Sequence, residues 1–249
     1  MREVSLIAVE DTRQTRKLLN HYNIATPTIS YHEHNKLTRK DQLLAVLDEG
    51  NVALVSDAGT PGLSDPGYLL VRAVLEAGHS VSPIPGPSAP IAALVASGLP
   101  TDSFVFLGYL PRRANARRRL LEDLAEERRT LVAFEAPHRL QASLKDLETI
   151  LGSERPVAVC RELTKVHEEI MRGTLRQAGA HFAEVKPRGE FTLVIGGATG
   201  EARWEEGRVR EALSMHLAQG FSPSEAAREV ASESGWPRRE VYQLTMEDK

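Results

Sequence analysis

The chain has 249 residues, of which 41% are hydrophobic and 26% charged, and a net charge of −3. These values exclude a disordered or fibrous chain and leave room for one large or two ordinary globular domains. No run approaches 18 apolar residues, Cys160 is the single cysteine, and Met1-Arg2-Glu3-Val4 has no leader pattern. A cytoplasmic protein without internal disulfides, a transmembrane helix or a metal centre is therefore expected.

Residues 4–9 (VSLIAV) read as a buried strand ended by Glu10-Asp11-Thr12-Arg13, where Asp11 or Thr12 caps a helix anchored by Leu18 and Leu19. A short strand at 28–31 precedes Thr38-x-x-Asp41, a capping-box pattern opening a helix through Leu43, Leu44, Val46 and Leu47. The next strand, 52–55, feeds the loop 56–67 (SDAGTPGLSDPG), which leads into a helix from Tyr68. Twelve residues is long for a strand-to-helix turn, and long ordered loops are usually functional. Its glycines permit close ligand approach, while Pro61 and Pro66 stiffen it. A strand at 81–84 runs into a second rigid turn, 83–89 (PIPGPSA), with Ser88 at a natural N-cap before a small-residue helix at 91–97. This alternation predicts a parallel, doubly wound sheet.

Residues 98–102 (GLPTD) mark a boundary, after which the pattern restarts. Strands are expected at 104–107, 131–135, 157–160, 170–173 and 191–195, with helices at 115–126, 139–151 and 175–184, as in a mixed α/β sheet. From 207 onward three short helices follow, the last two joined by a glycine turn at Ser234-Gly235-Trp236 in a helix-turn-helix pattern. Arg238 and Arg239 open the last helix and lean toward nucleic-acid binding.

Charge is unevenly spread. Arg112, Arg113, Arg117, Arg118 and Arg119 fall within eight positions, and a second basic group runs through Arg155, Arg161, Lys165, Arg172 and Arg176. In an acidic chain such clustering suggests a phosphate-binding surface, against the alternative of solvated helix faces. No G-x-G-x-x-G, Walker, G-x-S-x-G or H-E-x-x-H motif occurs. Residue patterns alone therefore stop at a two-lobed α/β enzyme with ligand loops at 56–67 and 83–89.

The segments VEDTRQTRKLLNHY, LVSDAGTPGLSDPGYLLVRA, PIPGPSAPIAAL, TLVAFEAPHRL, AVCRELTKVHEEIMRGTL and GEFTLVIGG occur in this order between residues 4 and 197. Together they resemble the ribosomal RNA small subunit methyltransferase I family of the tetrapyrrole (class III) methylase superfamily. The resemblance implies two αβα lobes, 1–100 and 101–198, and a helical tail, 199–249, in a homodimer with S-adenosyl-L-methionine folded between the lobes. The implied reaction is 2′-O-methylation of a decoding-site cytidine of 16S rRNA. By position, Asp57, Gly59, Thr60, Pro61, Ser88 and Ala89 match the cofactor-lining turns, and Phe134, Phe191 and Thr192 lie at strand ends that would close the site. Arg13, Arg139 and Arg161 would hold phosphates, and Arg117, Arg118 and Arg119 would bind RNA. Methyl transfer from an activated sulfonium depends on positioning, and the ribose hydroxyl needs a proton acceptor. Glu10, Glu135, Glu162 and a depressed-pKa Lys165 are the candidates, with none preferred. His138 reads better as a helix-start residue or RNA contact.

The family pattern also carries a strand, a TPIGNLxD loop and a helix ahead of the VSLIAV-like strand, so roughly 25 further residues are expected upstream of Met1. Two rival readings are a corrin- or porphyrin-precursor methylase of the same superfamily, which needs no extended basic surface, and a non-catalytic nucleic-acid-binding protein.

Overall fold

The computed structural model describes residues 1–198 and 204–247. The first lobe holds a parallel sheet of β1 (Leu6–Val9), β2 (Thr28–Ser30) and β3 (Val52–Val55) in the order β2-β1-β3. The VSLIAV run is central, and Ile7, Ala8 and Val9 are fully buried. Helices α1 (Thr12–His21), α2 (Lys36–Leu47) and α3 (Tyr68–Glu76) follow the three strands in turn. Asp11 is the N-cap of α1 and accepts from the Arg13 amide. The Thr38 capping box does not form. Helix α2 starts three residues earlier than that cap would place it, after Asn35, and the Thr38 hydroxyl donates back to the Asn35 carbonyl.

The expected strand at 81–84 is absent: this stretch has no regular structure, pairs with no strand and is exposed, with Ile84 outward. Pro83, Pro85 and Pro87 remove alternate amide donors, so a ladder on that edge would lack half its bonds.

Helix α4 (Ala89–Ser97) closes the first half of the chain but packs on the other sheet, its Ala93 and Leu94 against Val132, Ala158, Cys160 and Val194. That sheet comprises β4 (Phe104–Tyr109), β5 (Thr130–Glu135), β6 (Pro156–Arg161), β7 (Glu169–Thr174) and β8 (Phe191–Ile195). Its order is β4-β5-β8-β6-β7, with β4 and β5 parallel and the other pairs antiparallel, the mixed sheet expected. Alternation divides its side chains between two layers. Leu131, Ala133, Val157, Val159, Leu193 and Ile195 face α5 (Ala114–Asp123), α6 (Leu140–Leu151) and α7 (Leu175–Glu184), while the intervening residues face α4. The boundary at 98–102 thus separates the sheets in sequence, whereas α4 belongs to the second core.

Helices α8 (Glu206–Ala218), α9 (Pro223–Ser234) and α10 (Arg238–Glu247) pack around Val209, Leu213, Ala226, Ala227, Val230, Val241 and Leu244. Ser222 and Glu225 form a reciprocal capping box at α9, and Gly235 ends it. The expected start of this unit, residue 199, lies outside the described residues. No helix among the described residues is long and apolar enough to cross a membrane.

The basic runs divide once folded. Arg117 is only 4% exposed and its Nε and Nη2 donate to Asp146 Oδ2 at 2.8 and 2.5 Å, so it ties α5 to α6 and is removed from the expected RNA-contact set. Arg118 reaches the other oxygen of the same carboxylate, Oδ1, at 2.9 Å. Burial alone would raise the Asp146 carboxyl, but the bonds from Arg118 and Arg117 outweigh it and hold the pKa below its ordinary value. The second basic group is also structural in large part. Arg155 is buried on the Gly196, Ala125 and Glu127 carbonyls, and Arg172 caps the Ala96 carbonyl of α4 at 2.5 Å. Arg117→Leu should cost about 1.5–3 kcal/mol in urea unfolding, because the buried Asp146 carboxylate is left with Arg118 alone, whereas Arg119→Gln on the exposed face should stay within about 0.5 kcal/mol.

Candidate active site

The carboxyl ends of the strands carry the loops with chemistry, as open α/β sheets dictate. At the end of β1, Glu10 Oε2 accepts from the Asp57 amide at 3.2 Å, while Asp57 Oδ1 accepts from the Asp11 amide at the same distance. This exchange pins the root of the 56–67 loop to the start of α1. Farther along, the Thr60 hydroxyl donates to the Pro87 carbonyl at 3.0 Å, joining the loop to the proline turn that leads into α4. Ser88 is the N-cap residue of α4, but its side chain makes no cap bond. Gly59 adopts φ +76°, and a Cβ built on it would meet nothing within 4 Å. The loop backbone therefore borders open space, and any side chain there would be strained by φ rather than by crowding. Beside it lies a concavity of ≈ 360 Å³ lined by Gln14, Thr15, Leu18, Val55, Ser56 and Asp57. A larger one, ≈ 870 Å³, is lined only by α5 and its approach, Arg113 to Asp123, with none of the loop residues.

The second lobe faces this loop. A Cβ built on Gly108 would lie 3.4 Å from Ser64 Oγ, which places the end of β4 against the loop. Asp65 is half-buried there and its carboxyl is pushed up to about 6, first by burial and then by the nearby charge of Glu10, with smaller contributions from Asp57 and Glu190. The nearby Ser56 hydroxyl, which donates to the Ala58 carbonyl at 3.1 Å, works the other way and is outweighed. Burial, Glu190 and Asp65 likewise raise the Tyr109 phenol. Backbone strain gathers at the same facing loops: Ser64, Glu162 and Thr164 have φ of 64°, 47° and 67°.

The expected catalytic residues fare differently. Glu135 is 1% exposed and bonded to the Ala136 amide, the Ser143 hydroxyl and Arg139 Nη2 at 2.5 Å, so it has no access to a substrate proton. Arg139 also donates to the Leu110 carbonyl at 3.0 Å, which turns the Glu-Ala-Pro-His-Arg motif into a brace for the end of β4 rather than a phosphate clamp. Lys165 bridges Glu162 and Glu190, each at 2.9 Å, and these bonds raise its pKa; the expected depressed lysine is absent. Glu162 is correspondingly lowered and also accepts from the Glu190 amide, pinning the strand-to-strand turn. Glu10 keeps a place beside Asp65 but serves the loop root.

Among the expected cofactor residues, Phe191 is 2% exposed and packs on Phe182 in the helix-facing core, so it cannot line the cleft. Phe134 and Thr192 are register partners on the opposite, α4-facing side. Arg13 is largely exposed and pairs with Asp11, whose carboxyl its hydrogen bonds lower to about 2. Arg161 is held by the Arg188 carbonyl and Glu169. Sequence reasoning missed Asp65, Tyr109 and Glu190. Only Asp65 had a signal, as the second acidic residue of the long loop.

Residues 1–179 match the family described as Tetrapyrrole (Corrin/Porphyrin) Methylases, and residues 205–249 match the RsmI C-terminal HTH domain. The Ribosomal RNA small subunit methyltransferase I of Synechocystis is 54% identical over 99% of this chain and 90% of its own length. Its counterpart of the same name in Halalkalibacterium halodurans is 47% identical over 98% of this chain and 86% of its own. Among solved structures, a uroporphyrin-III C-methyl transferase from Thermus thermophilus complexed with S-adenyl homocysteine superposes with TM-score 0.52 at 18% identity, covering 78% of this chain and 86% of that one, a likeness of fold.

Because the folded-state pKa of Asp65 lies above its ordinary value of 3.8, the folded state holds the extra proton between about pH 4 and 6. Stability should therefore fall as pH rises through that window. Asp65→Asn should flatten this part of the profile and be the more stable protein at pH 7, as read from urea midpoints across pH.

Proposed function

The chain belongs to the ribosomal RNA small subunit methyltransferase I family, and on that footing we propose that it transfers a methyl group from S-adenosylmethionine to the ribose 2′-oxygen of a decoding-site cytidine of 16S rRNA. The observation that carries the reading is the 56–67 loop, with open space at Gly59 and the half-buried Asp65, set against the end of β4 across the cleft between the lobes.

The residues fit such a ligand. Loop 56–61 offers rigid backbone beside open space at Gly59, and the uncommitted Ser88 side chain stands at the N-terminus of α4. When bound, S-adenosylmethionine supplies an activated sulfonium methyl. Asp57, Gly59, Thr60 and Pro61 would hold and orient it from the first lobe, Ser88 and Ala89 from the turn, and Phe134 from the second sheet, where Thr192, only 5% exposed, backs Phe134 rather than lining the cleft. The ribose 2′-hydroxyl that receives this methyl must lose its proton, and Asp65 is the residue that would take it. A carboxylate with pKa near 6 is a better proton acceptor than an ordinary one and is still ionised at neutral pH. Burial sustains that shift first, helped by Glu10 and, less, by Asp57 and Glu190, the acidic groups around Asp65.

The RNA-facing residues become Arg112, Arg113 and Arg119 on the exposed side of the α5 segment, with Arg118 half-committed to Asp146 and Arg13 at the cleft's other rim. We read the enzyme as a cytoplasmic homodimer, supported by the exposed apolar side chains Leu75, Ile84, Ile91 and Val95 on and around α3 and α4.

Incorporation of labelled methyl from S-adenosylmethionine into small subunits lacking the modification tests the reaction; absence of incorporation at pH 8 refutes it. The rate should climb as pH passes through about 6, and Asp65→Asn should lower kcat by at least a hundredfold with little change in affinity for S-adenosylmethionine. Replacing Arg112, Arg113 and Arg119 by Gln should reduce the salt slope of subunit binding by up to about three contacts' worth, and an unchanged slope would return them to the role of a solvated face.

A further inference from the structure

We propose that Tyr109 is the platform on which the enzyme stacks the base of the nucleotide it modifies; the inference rests on the RNA methyl-transfer reading above and names how the substrate is seated. The argument begins with strand alternation. Along β4, Phe104 and Phe106 face the α4 layer while Val105 and Leu107 face the helix layer on the other side. Strict alternation would send Gly108 to the α4 side and bury Tyr109 among the helices. Instead the register slips: Phe106 opposes Val132, yet Tyr109 opposes Phe134, so three steps on β4 match two on β5. Gly108, at φ +65°, absorbs the extra residue.

The bulge re-aims Tyr109 onto the cleft side. Its ring lies 5.4 Å from Phe134, which in turn lies edge-on to Phe106 at 5.2 Å. The inner end of this aromatic row is anchored in the core, while Tyr109 remains 55% exposed at the outer end. Asp65 and Glu190 stand close enough for their charges to act on the phenol, so the exposed ring borders the carboxylate assigned the ribose proton. Arg112 and Arg113 follow within four residues, both exposed, where the phosphates flanking a seated nucleotide would run.

Reaching a 2′-hydroxyl inside structured RNA requires drawing the nucleotide out of its stack, and a protein ring replaces the lost neighbour. Stacking on a side chain anchored from below is tolerant of base identity, so Tyr109 contributes grip more than selectivity. A ring committed to the cofactor or to packing would not need a bulge to bring it to the rim beside a basic segment.

The test compares Tyr109→Phe, which keeps the ring, with Tyr109→Leu, which removes it and preserves much of the bulk. Binding of the full chain to unmodified small subunits is measured by co-sedimentation, with S-adenosylmethionine affinity by calorimetry and urea midpoints alongside. The Phe variant should bind within about twofold of the parent, while the Leu variant should weaken subunit binding and raise KM about tenfold or more. Its cofactor affinity and stability should be unchanged. Parent-like binding by Tyr109→Leu overturns the proposal, as does an equal loss in Tyr109→Phe, which would assign the role to the hydroxyl. A parallel fall in cofactor affinity would move the ring to the cofactor side and equally overturn it. Failure of the parent to transfer methyl at all would sink the proposed reaction instead, while the subunit-binding comparison would still decide the role of the ring.

Discussion

Helix α4 is where the two lobes become one machine. Its sequence follows the first sheet, but its apolar face, Ala93 and Leu94, is buried on the second. Arg172 from the edge strand β7 also caps its carboxyl end through the Ala96 carbonyl. The proline turn at its amino end therefore moves with the second lobe. The Thr60–Pro87 hydrogen bond then spans from the loop of one lobe to a turn carried by the other. A ligand touching both is clasped between elements whose separation is set by core packing rather than by loop flexibility. Single hydrogen bonds of this kind are worth only about 0.5–1.5 kcal/mol, so the alignment of the cleft comes chiefly from α4's apolar seat.

Much of the element order was legible in the sequence, because hydrophobic periodicity reports burial and burial dominates these elements. Residues 175–184 and 191–195, for instance, were placed within their observed bounds. What failed was governed by pairing rather than by pattern. Residues 81–84 have a strand's composition but prolines where donors are required, and Thr38-x-x-Asp41 has a cap's spacing inside a helix that Asn35 had already opened. Charged motifs were the least legible. The arginine run looked uniform along the chain, yet helical geometry turned Arg117 into the core while leaving Arg113 and Arg119 outside. Glu135 and Arg139 were recognisable as a motif, but only their burial reveals a brace instead of chemistry.

The cleft is built at a cost to stability. Three non-glycine residues held at positive φ and a half-buried carboxyl beside other acids are each unfavourable in isolation. They are sustained by tightly bonded surroundings: the Glu10–Asp57 exchange on one side, and the Glu162–Lys165–Glu190 bridge on the other. Neither set of bonds touches the other lobe. Each lobe thus arrives with its share of the cleft already shaped, consistent with a reaction that depends on positioning a reactive methyl more than on polarising it.

The slipped register at Gly108 has a consequence for how this strand can change over time. In a regular ladder, adding one residue would reverse the orientation of everything after it. Here the extra residue sits beside the strand's end, so only the last side chains are reassigned, Tyr109 to the rim and Leu110 to the helix-side core. Insertion or loss of a single residue at this point would swap an aromatic ring between hidden packing and the solvent-facing rim without disturbing the five-stranded sheet. The end of β4 is thereby a position where the inventory of the rim can be rewritten by length alone, a kind of variation that residue-by-residue substitution cannot reach.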